Sequence, residues 1–209
     1  MELPRSLPAR LYLLAYRPDR GRLAQRGDLG LVLRAAALAD LLQRGLLRDD
    51  QGAAALGDPE PAGLDPLLGE VLAQVAASRP RRWEHWVKTG DRTALRTVRD
   101  QLADCGVLEL EQHRVLGLFP VLRPVLTDPG ARERLLAEFD SALTDPLPQV
   151  GPGPGALVWL AHEGRLRHLL AGGRRREQRD RIRELAALAG PVPKALRQAI
   201  RARQAAHSS

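Results

Sequence analysis

Residues 29–43, LGLVLRAAALADLLQ, restrict the fold more than any other part of the sequence. If they form a helix, apolar side chains cover nearly all of its surface, and only Arg34 and Asp40 interrupt them. Such a helix needs other elements around it to exclude water. We therefore predict a helical protein that packs around this segment, with Asp28 as the N-cap of the central helix.

The composition also favours a helical fold. Hydrophobic residues make up 44% of the 209 residues but aromatic residues only 3%, so that Leu and Ala, which favour helix, supply most of the core. We predict an all-α protein with a single globular domain over residues 1–209 and a linker-like break near 144–155, where Pro and Gly are frequent. The single cysteine, Cys105, excludes an internal disulfide.

Residues 91–127 predict a helix that is followed at once by a β-hairpin. The apolar residues of the helix have helical spacing and form one stripe: Leu95, Val98 and Leu102. Asp91 or Thr93 can cap the start of this helix. Gly106 can adopt the left-handed conformation that ends it.

The β-hairpin is predicted near 107–122. Strand-prone residues at 107–110 and 115–122 flank the polar residues 111–114, which we predict to form the turn. The second run contains Leu116, Leu118 and Phe119 and is too apolar to face only water. Because the two faces of a ribbon alternate, part of this run must contact the core, a second copy of the chain or a bilayer. We favour the bilayer or the second copy.

Cations lie close to this hairpin in the sequence. Arg92, Arg96 and Arg99 have spacings of four and three, so their guanidinium groups share one helix face. Farther along the chain, between 174 and 203, there are ten Lys or Arg and three acids, and this difference equals the net charge of +7 of the whole chain. This basic region can meet the phosphates of a membrane, of RNA or of DNA, and it is equally well explained as a solvated basic face. Cations beside an apolar hairpin favour binding to an anionic phospholipid membrane surface.

No pattern in the sequence indicates catalysis, a metal site or a cofactor. The five histidines lack the spacing of metal ligands, and GPGPG at 151–155 lacks the Lys-Ser/Thr of a phosphate loop. We expect a binding protein that is not an enzyme. No run reaches the roughly 18 apolar residues that span a bilayer, and the N-terminus lacks signal-peptide features. We therefore expect a cytoplasmic protein that binds peripherally at the inner face of the membrane.

The order of these elements resembles the Golgi phosphoprotein 3 family in its shorter bacterial form, over most of the chain. The segments that carry the resemblance are LYLLAYRPDRGRL, ALADLLQRGLL, LDPLLGEVLAQVAAS with PRRWEHWV, LRTVRDQLADCGVL with LGLF, and LVWLAHEGRLRHLL. The resemblance implies a mostly helical domain that binds phosphatidylinositol 4-phosphate in a basic pocket on a membrane-facing surface. It also implies that the hairpin inserts into the membrane or mediates self-association, so that a homo-oligomer is a second expected assembly.

The resemblance also implies which residues form the pocket. The family uses an arginine of the buried helix, whose position here is held by Arg34, and two basic residues three apart on the helix before the hairpin. The motif LRTVR places Arg96 and Arg99 at this pair, whereas an ungapped alignment on the glycine that ends the helix brings Arg92 into the pocket instead of Arg96. The family's loop tryptophan is absent, and Gln25 or Arg26 stands near its place. From the residues alone, Arg34 is equally well explained by structural pairing with an acid.

Two other classes of function remain open. A helix that leads into a hairpin is also the layout of a winged-helix protein, in which Arg92, Arg96 and Arg99 would contact nucleic acid phosphates. The apolar second strand argues against a wing, which should be polar and basic, and makes nucleic acid a less favoured partner. A protein–protein adaptor is the other alternative, although the sequence identifies no client protein.

Overall fold

The computed structural model describes residues 2–58, 63–115, 119–170 and 175–207. Over these residues the chain is a predominantly helical single domain, which confirms the predicted fold class. The helices are α1 (Leu7–Ala15), α2 (Arg26–Gln43), α3 (Pro66–Ala76), α4 (Trp83–Lys88), α5 (Asp91–Asp104), α6 (Pro129–Thr144), α7 (Pro152–Glu163), α8 (Arg175–Ala187) and α9 (Val192–His207).

Three small antiparallel sheets join these helices. Their strands are β1 (Tyr16–Arg17), β2 (Arg22–Leu23), β3 (Leu47–Asp50), β4 (Ala53–Leu56), β5 (Arg81–Arg82), β6 (Leu108–Val115) and β7 (Phe119–Leu126). Strand β1 pairs with β2, β4 lies between β3 and β5, and β6 pairs with β7. The strands of the first two sheets are too short to show, in the sequence, the alternation of apolar and polar residues that predicts a strand.

Helix α2 is the centre of the fold, as its apolar sequence predicts. Every residue from 29 to 41 is buried, and α1, α3, α4, α5, α7 and α9 all pack against this helix. The prediction of Asp28 as its N-cap is wrong, because Gln25 occupies the N-cap and Asp28 lies in the first turn. The helix begins earlier than predicted because the amides of Asp28 and Leu29 already donate to the carbonyl oxygen of Gln25.

A glycine stands at each end of α5, the helix that carries most of the candidate site. Gly106 has φ of 68°, and its N–H donates to the carbonyl oxygen of Ala103, while the N–H of Val107 donates to that of Leu102. This pair of bonds closes α5 and turns the chain directly into β6. Gly106 therefore ends the helix as predicted. At the start of α5, however, Gly90 is the N-cap in place of Asp91 or Thr93.

The β-hairpin is present but longer than predicted. It pairs Leu108 with Leu126 at its base and Val115 with Phe119 at its far end. The predicted turn at 111–114 is wrong, since these residues belong to β6 and Glu111, for example, pairs with Arg123. Polar residues are tolerated there because the side chains of Glu111 and Gln112 are exposed to solvent. Residues 116–118, which connect the strands, lie outside the described residues.

The Pro- and Gly-rich residues near 144–155 include the start of α7. Gly151 is the N-cap of this helix and Pro152 its first residue, a position where proline fits because the first amides have no helical partner. Gly155 is buried, and a side chain there would lie 3.2 Å from a methyl carbon of Leu185 in α8. The glycine thus permits close packing between α7 and α8.

Candidate functional site

Arg34 is completely buried, and its guanidinium group bonds to three other elements of the fold. Its Nε donates to the carbonyl oxygen of Trp86 at 3.2 Å, Nη1 to Oε1 of Glu70 at 3.3 Å and Nη2 to Oε1 of Gln74 at 2.7 Å. Burial lowers the pKa of Arg34 to about 10, against the opposing charges of Glu70 and Asp91, so the side chain is protonated at neutral pH. The structure therefore shows Arg34 paired with an acid, Glu70, as the structural interpretation of this residue predicts.

The guanidinium of Arg34 lies directly beneath the start of α5. A Cβ atom on Gly90 would be 3.3 Å from Nη1 of Arg34 and 2.9 Å from Oε1 of Glu70, and Gly90 itself has φ of 72°. Glycine is favoured here both by the left-handed backbone and by the close approach of these charged groups. Arg34 thus helps to fix where α5 begins. That it also contacts a lipid head group stays a prediction.

Helix α5 carries the other three arginines predicted for the site. Arg92 and Arg96 are exposed and have no hydrogen bond or ion pair with any described residue. Arg99 is less exposed and bonds to Asp100, with Nε 2.8 Å from Oδ1 and Nη2 2.6 Å from the same oxygen. The unpaired charge of α5 therefore lies at Arg92 and Arg96. None of these three arginines shares a hydrogen-bond partner with Arg34 within the described chain.

The C-terminal basic region reaches the same end of α5, a contact that the sequence does not reveal. Arg203 of α9 donates to the carbonyl oxygen of Gly27 at 2.8 Å and bonds to the carboxylate of Asp91. It also lies 4.0 Å from the carboxylate of Asp28. Asp91 is thus attracted by Arg203 from α9 and by Arg34 from α2. Arg203 and Asp91 are 112 residues apart in the sequence, so no local sequence pattern predicts this contact.

Other basic residues of the C-terminal region are used within the fold. Arg197 bonds to Glu163 at 2.6 Å, and Arg183 bonds to Asp180 at 2.6 Å. Arg181 donates to the carbonyl oxygens of Ala142 and Asp145 at the end of α6. Arg197 thus joins α9 to the end of α7 and Arg181 joins α8 to α6, whereas the exposed pair of Arg183 with Asp180 lies within α8.

The hairpin is fixed at its base. The hydroxyl of Thr127 donates to the carbonyl oxygens of Gly106 at 2.7 Å and of Val107 at 3.0 Å, which ties the end of β7 to the end of α5. Further out, Leu122 keeps 42% of its surface exposed, and Leu56 and Leu188 are the other large exposed apolar side chains among the described residues. The hairpin thus exposes apolar surface beyond its base.

The predicted insertion residues lie at the far end of this hairpin. Leu116 and Leu118 fall outside the described residues. For Phe119 the structure gives the position, at the first residue of β7 opposite Val115, but does not describe the side chain. Their predicted contact with a membrane or with a second copy of the chain stays a prediction.

No helix among the residues that the structure describes is long and apolar enough to cross a membrane. No three His, Cys, Asp or Glu side chains of this part of the chain lie together in a way that could hold a metal ion.

Comparison with known proteins gives one result for nearly the whole chain. No curated protein matches the sequence. The family model described as Golgi phosphoprotein 3 (GPP34) matches residues 7–203, from the start of α1 into the last turns of α9. The order of elements found here, with a buried central helix and a helix that leads into a hairpin, therefore has a family context: the chain belongs to the Golgi phosphoprotein 3 (GPP34) family.

Proposed function

We propose that the protein is a peripheral membrane-binding module that recognises anionic phospholipid through α5 and the hairpin that follows it. The observation that carries this proposal is the pair Arg92 and Arg96, which are exposed and unpaired among the described residues on a helix whose start is fixed. Exposed cations on a rigid element can contact lipid phosphates without first breaking internal ion pairs. Arg99 adds a third guanidinium on this helix, but its bond to Asp100 must be shared or given up.

The hairpin supplies the apolar part of the proposed attachment. A few surface arginines give only a weak attraction that salt screens, whereas stable attachment needs a second signal such as inserted apolar side chains. Leu122 supports this role because it is exposed on β7. Leu116, Leu118 and Phe119 supply further apolar side chains in the sequence at the far end. Binding to the head group at α5 and insertion at the hairpin would then act on one membrane.

We further propose phosphatidylinositol 4-phosphate as the preferred lipid, on the family resemblance alone. Arg34 corresponds to a pocket arginine in that resemblance, but here its three guanidinium nitrogens already have partners. We assign to Arg34 the role of supporting α5 from beneath, and head-group contact to Arg92, Arg96 and Arg99. A direct bond from Arg34 to a lipid would require Glu70 and Gln74 to release it.

Liposome co-sedimentation tests the proposal. The wild-type protein should sediment with phosphatidylcholine vesicles that contain phosphatidylinositol 4-phosphate and not with phosphatidylcholine alone. The double variant Arg92→Gln, Arg96→Gln should bind more weakly by about 1–3 kcal/mol, the scale of charge-assisted hydrogen bonds. The double variant Arg79→Gln, Arg179→Gln is the matched control, since it removes the same charge from two exposed arginines on other elements.

Two outcomes would contradict the proposal. Equal losses in both double variants would show that the net charge of the protein, not α5, governs attachment. The nucleic acid alternative would be favoured if the protein bound duplex DNA in a shift assay more tightly than it binds the vesicles. In that case the loss of DNA binding should be confined to the α5 variant.

A further inference from the structure

A second group of cations surrounds the turn between β1 and β2. Arg17 and Arg22 are direct cross-strand partners in this ribbon, so their side chains leave on the same face. Arg20 lies on the turn itself and is exposed. Like charges opposite each other in a two-stranded ribbon destabilise it. The ribbon therefore carries a concentration of positive charge that folding alone does not favour.

Two arginines from distant parts of the chain join this group. Arg132 of α6 donates from Nε to the carbonyl oxygen of Tyr16 at 3.1 Å, and neither Nη1 nor Nη2 has a partner among the described residues. The charge of Arg132 interacts with Asp19 and with Arg17. From β7, Arg123 lies against the turn, because a Cβ atom on Gly21 would be only 1.6 Å from its Nη2 atom. Because Gly21 has no side chain, it leaves room for the guanidinium group of Arg123.

One carboxylate lies within this group. Arg17 holds Asp19 with Nε 3.2 Å from Oδ1 and Nη2 2.6 Å from Oδ2, and Nε of Arg20 is 3.7 Å from Oδ2. These bonds to Arg17 lower the pKa of Asp19, which is therefore charged at neutral pH. The Asp19 side chain is 60% exposed, so it lies at the edge of the group and not in its middle. Glu111, the cross-strand partner of Arg123 in the hairpin, is a second carboxylate beside the group, so five arginines less two carboxylates leave a charge of +3.

We propose that these five arginines (Arg17, Arg20, Arg22, Arg123 and Arg132), here called the turn cluster, bind a phosphate group. A phosphate carries several acceptor oxygens, and guanidinium groups bind it with paired hydrogen bonds. It would use the donors that Asp19 leaves unused and would relieve the repulsion across the ribbon. The cluster is built by β1, β2, β7 and α6 and shares no residue with the arginines of α5.

Contact with β7 places the turn cluster beside the hairpin, where a phosphate could belong to a lipid head group or to a soluble molecule. The test therefore uses three probes: inorganic phosphate, water-soluble dibutanoyl phosphatidic acid, and phosphatidylcholine vesicles with and without phosphatidic acid. Binding of the soluble probes is followed by the NMR signals of the arginine Nε–H groups. Vesicle binding is followed by co-sedimentation.

Both soluble probes should shift the Nε–H signals of Arg17, Arg20 and Arg132 along a saturable curve. Arg20→Gln and Arg123→Gln should each weaken binding about five- to tenfold, which is less than the full value of one charge-assisted hydrogen bond because both side chains are exposed to water. Asp19→Asn should tighten binding severalfold, because it removes the competing carboxylate. A variant that gains affinity cannot be explained by damage to the fold. Arg79→Gln, an exposed arginine on another part of the chain, should leave the affinity unchanged.

The source of the phosphate follows from the relative affinities. Tighter binding of phosphatidic acid and its vesicles than of inorganic phosphate supports the site with a lipid as ligand, and equal affinities support it with a soluble phosphate. Signals that move without saturation, or a loss in Arg79→Gln equal to that in Arg20→Gln, would overturn the proposal. The variant Arg92→Gln, Arg96→Gln should keep the phosphate response of the turn cluster, so that failure of the α5 site and failure of this site are distinguishable.

Discussion

Asp40 caps a helix that begins 33 residues earlier in the chain: its Oδ2 accepts a hydrogen bond of 2.7 Å from the backbone N–H of Leu7, the first residue of α1. Ser6 occupies the N-cap position itself, but its hydroxyl makes no capping bond and has no partner. Oδ1 of Asp40 accepts a hydrogen bond from Arg44 one turn further along α2. This acid, which interrupts the apolar sequence of α2, therefore joins the two most buried helices of the fold.

Replacement of Asp40 should destabilise the protein. Asp40→Ala leaves the N–H of Leu7 unpaired in a buried position and should lower the free energy of unfolding by about 2–3 kcal/mol. Asp40→Asn keeps an acceptor oxygen and should cost less than half of that. Urea unfolding followed by circular dichroism measures both variants. Equal losses in the two would show that the ion pair with Arg44, and not the cap of α1, is the important contact.

Arg34→Ala should also be a stability variant. It removes a buried cation and leaves Gln74 Oε1 and the carbonyl oxygen of Trp86 without their donor, while Glu70 loses its ion pair and keeps the hydrogen bond from Gln74 Nε2 at 3.0 Å. Removal of one partner of a buried pair costs about 3–5 kcal/mol, and we expect about 2–4 kcal/mol because the side chain of Glu70 is 33% exposed. The melting temperature in the absence of lipid measures this. An unchanged melting temperature together with lost vesicle binding would instead show that Arg34 contacts the lipid head group.

The sequence predicts best those features that depend on neighbouring residues. The burial of α2 follows from its continuous apolar surface, and the end of α5 follows from Gly106 after an apolar stripe. The turn of the hairpin was misplaced because polar residues near Glu111 resemble turn residues when the strand that contains them is exposed. Contacts such as Arg203 with Asp91 could not be predicted, since no local pattern encodes which distant charges meet.

Replacement of Gly106 by Ala and of Gly69 by Ala should change the stability of the protein in opposite directions. No atom lies within 4 Å of a Cβ added to either, so that only the backbone distinguishes them. Gly106→Ala places a side chain at φ of 68° and should cost about 1 kcal/mol, whereas Gly69→Ala within α3 should gain about 0.5–1 kcal/mol from helix propensity. Thermal unfolding of both variants tests this. A loss in both would mean that the helix ends are not where the structure has them.

His168 should make stability depend on pH. Its Nε2 lies 3.0 Å from the carbonyl oxygen of Leu14, and burial first, then the charges of Arg132 and Arg17, lower its pKa below the usual value of 6.5. The unfolded chain therefore binds a proton more readily than the folded one. The stability contribution is complete above pH 6.5 and is lost as the pH falls through 6.5 toward the folded pKa.

Urea unfolding between about pH 7.5 and about pH 5.5 measures this dependence. His168→Gln, which keeps a donor for the Leu14 carbonyl oxygen, should reduce the slope of stability against pH. The pKa of His85 is also lowered, by burial and then by Arg81 and Lys88, so a residual slope should remain in the single variant and be smaller in the double variant. A slope that is the same in the wild-type protein and in His168→Gln would contradict the lowered pKa of His168.

The last prediction concerns the far end of the hairpin. Leu118→Ser, Phe119→Ser should leave the melting temperature nearly unchanged, because the strands contact the body of the protein at their base, where α5 meets β6. If these side chains insert into a bilayer, the variant should lose co-sedimentation with anionic vesicles. If they bind a second copy of the chain, it should lose self-association in analytical ultracentrifugation without lipid. Val107→Ser, at a buried position of the base, is the matched control and should lower the melting temperature sharply. A similar fall in the tip variant would assign Leu118 and Phe119 to the core and remove the apolar part of the proposed membrane attachment.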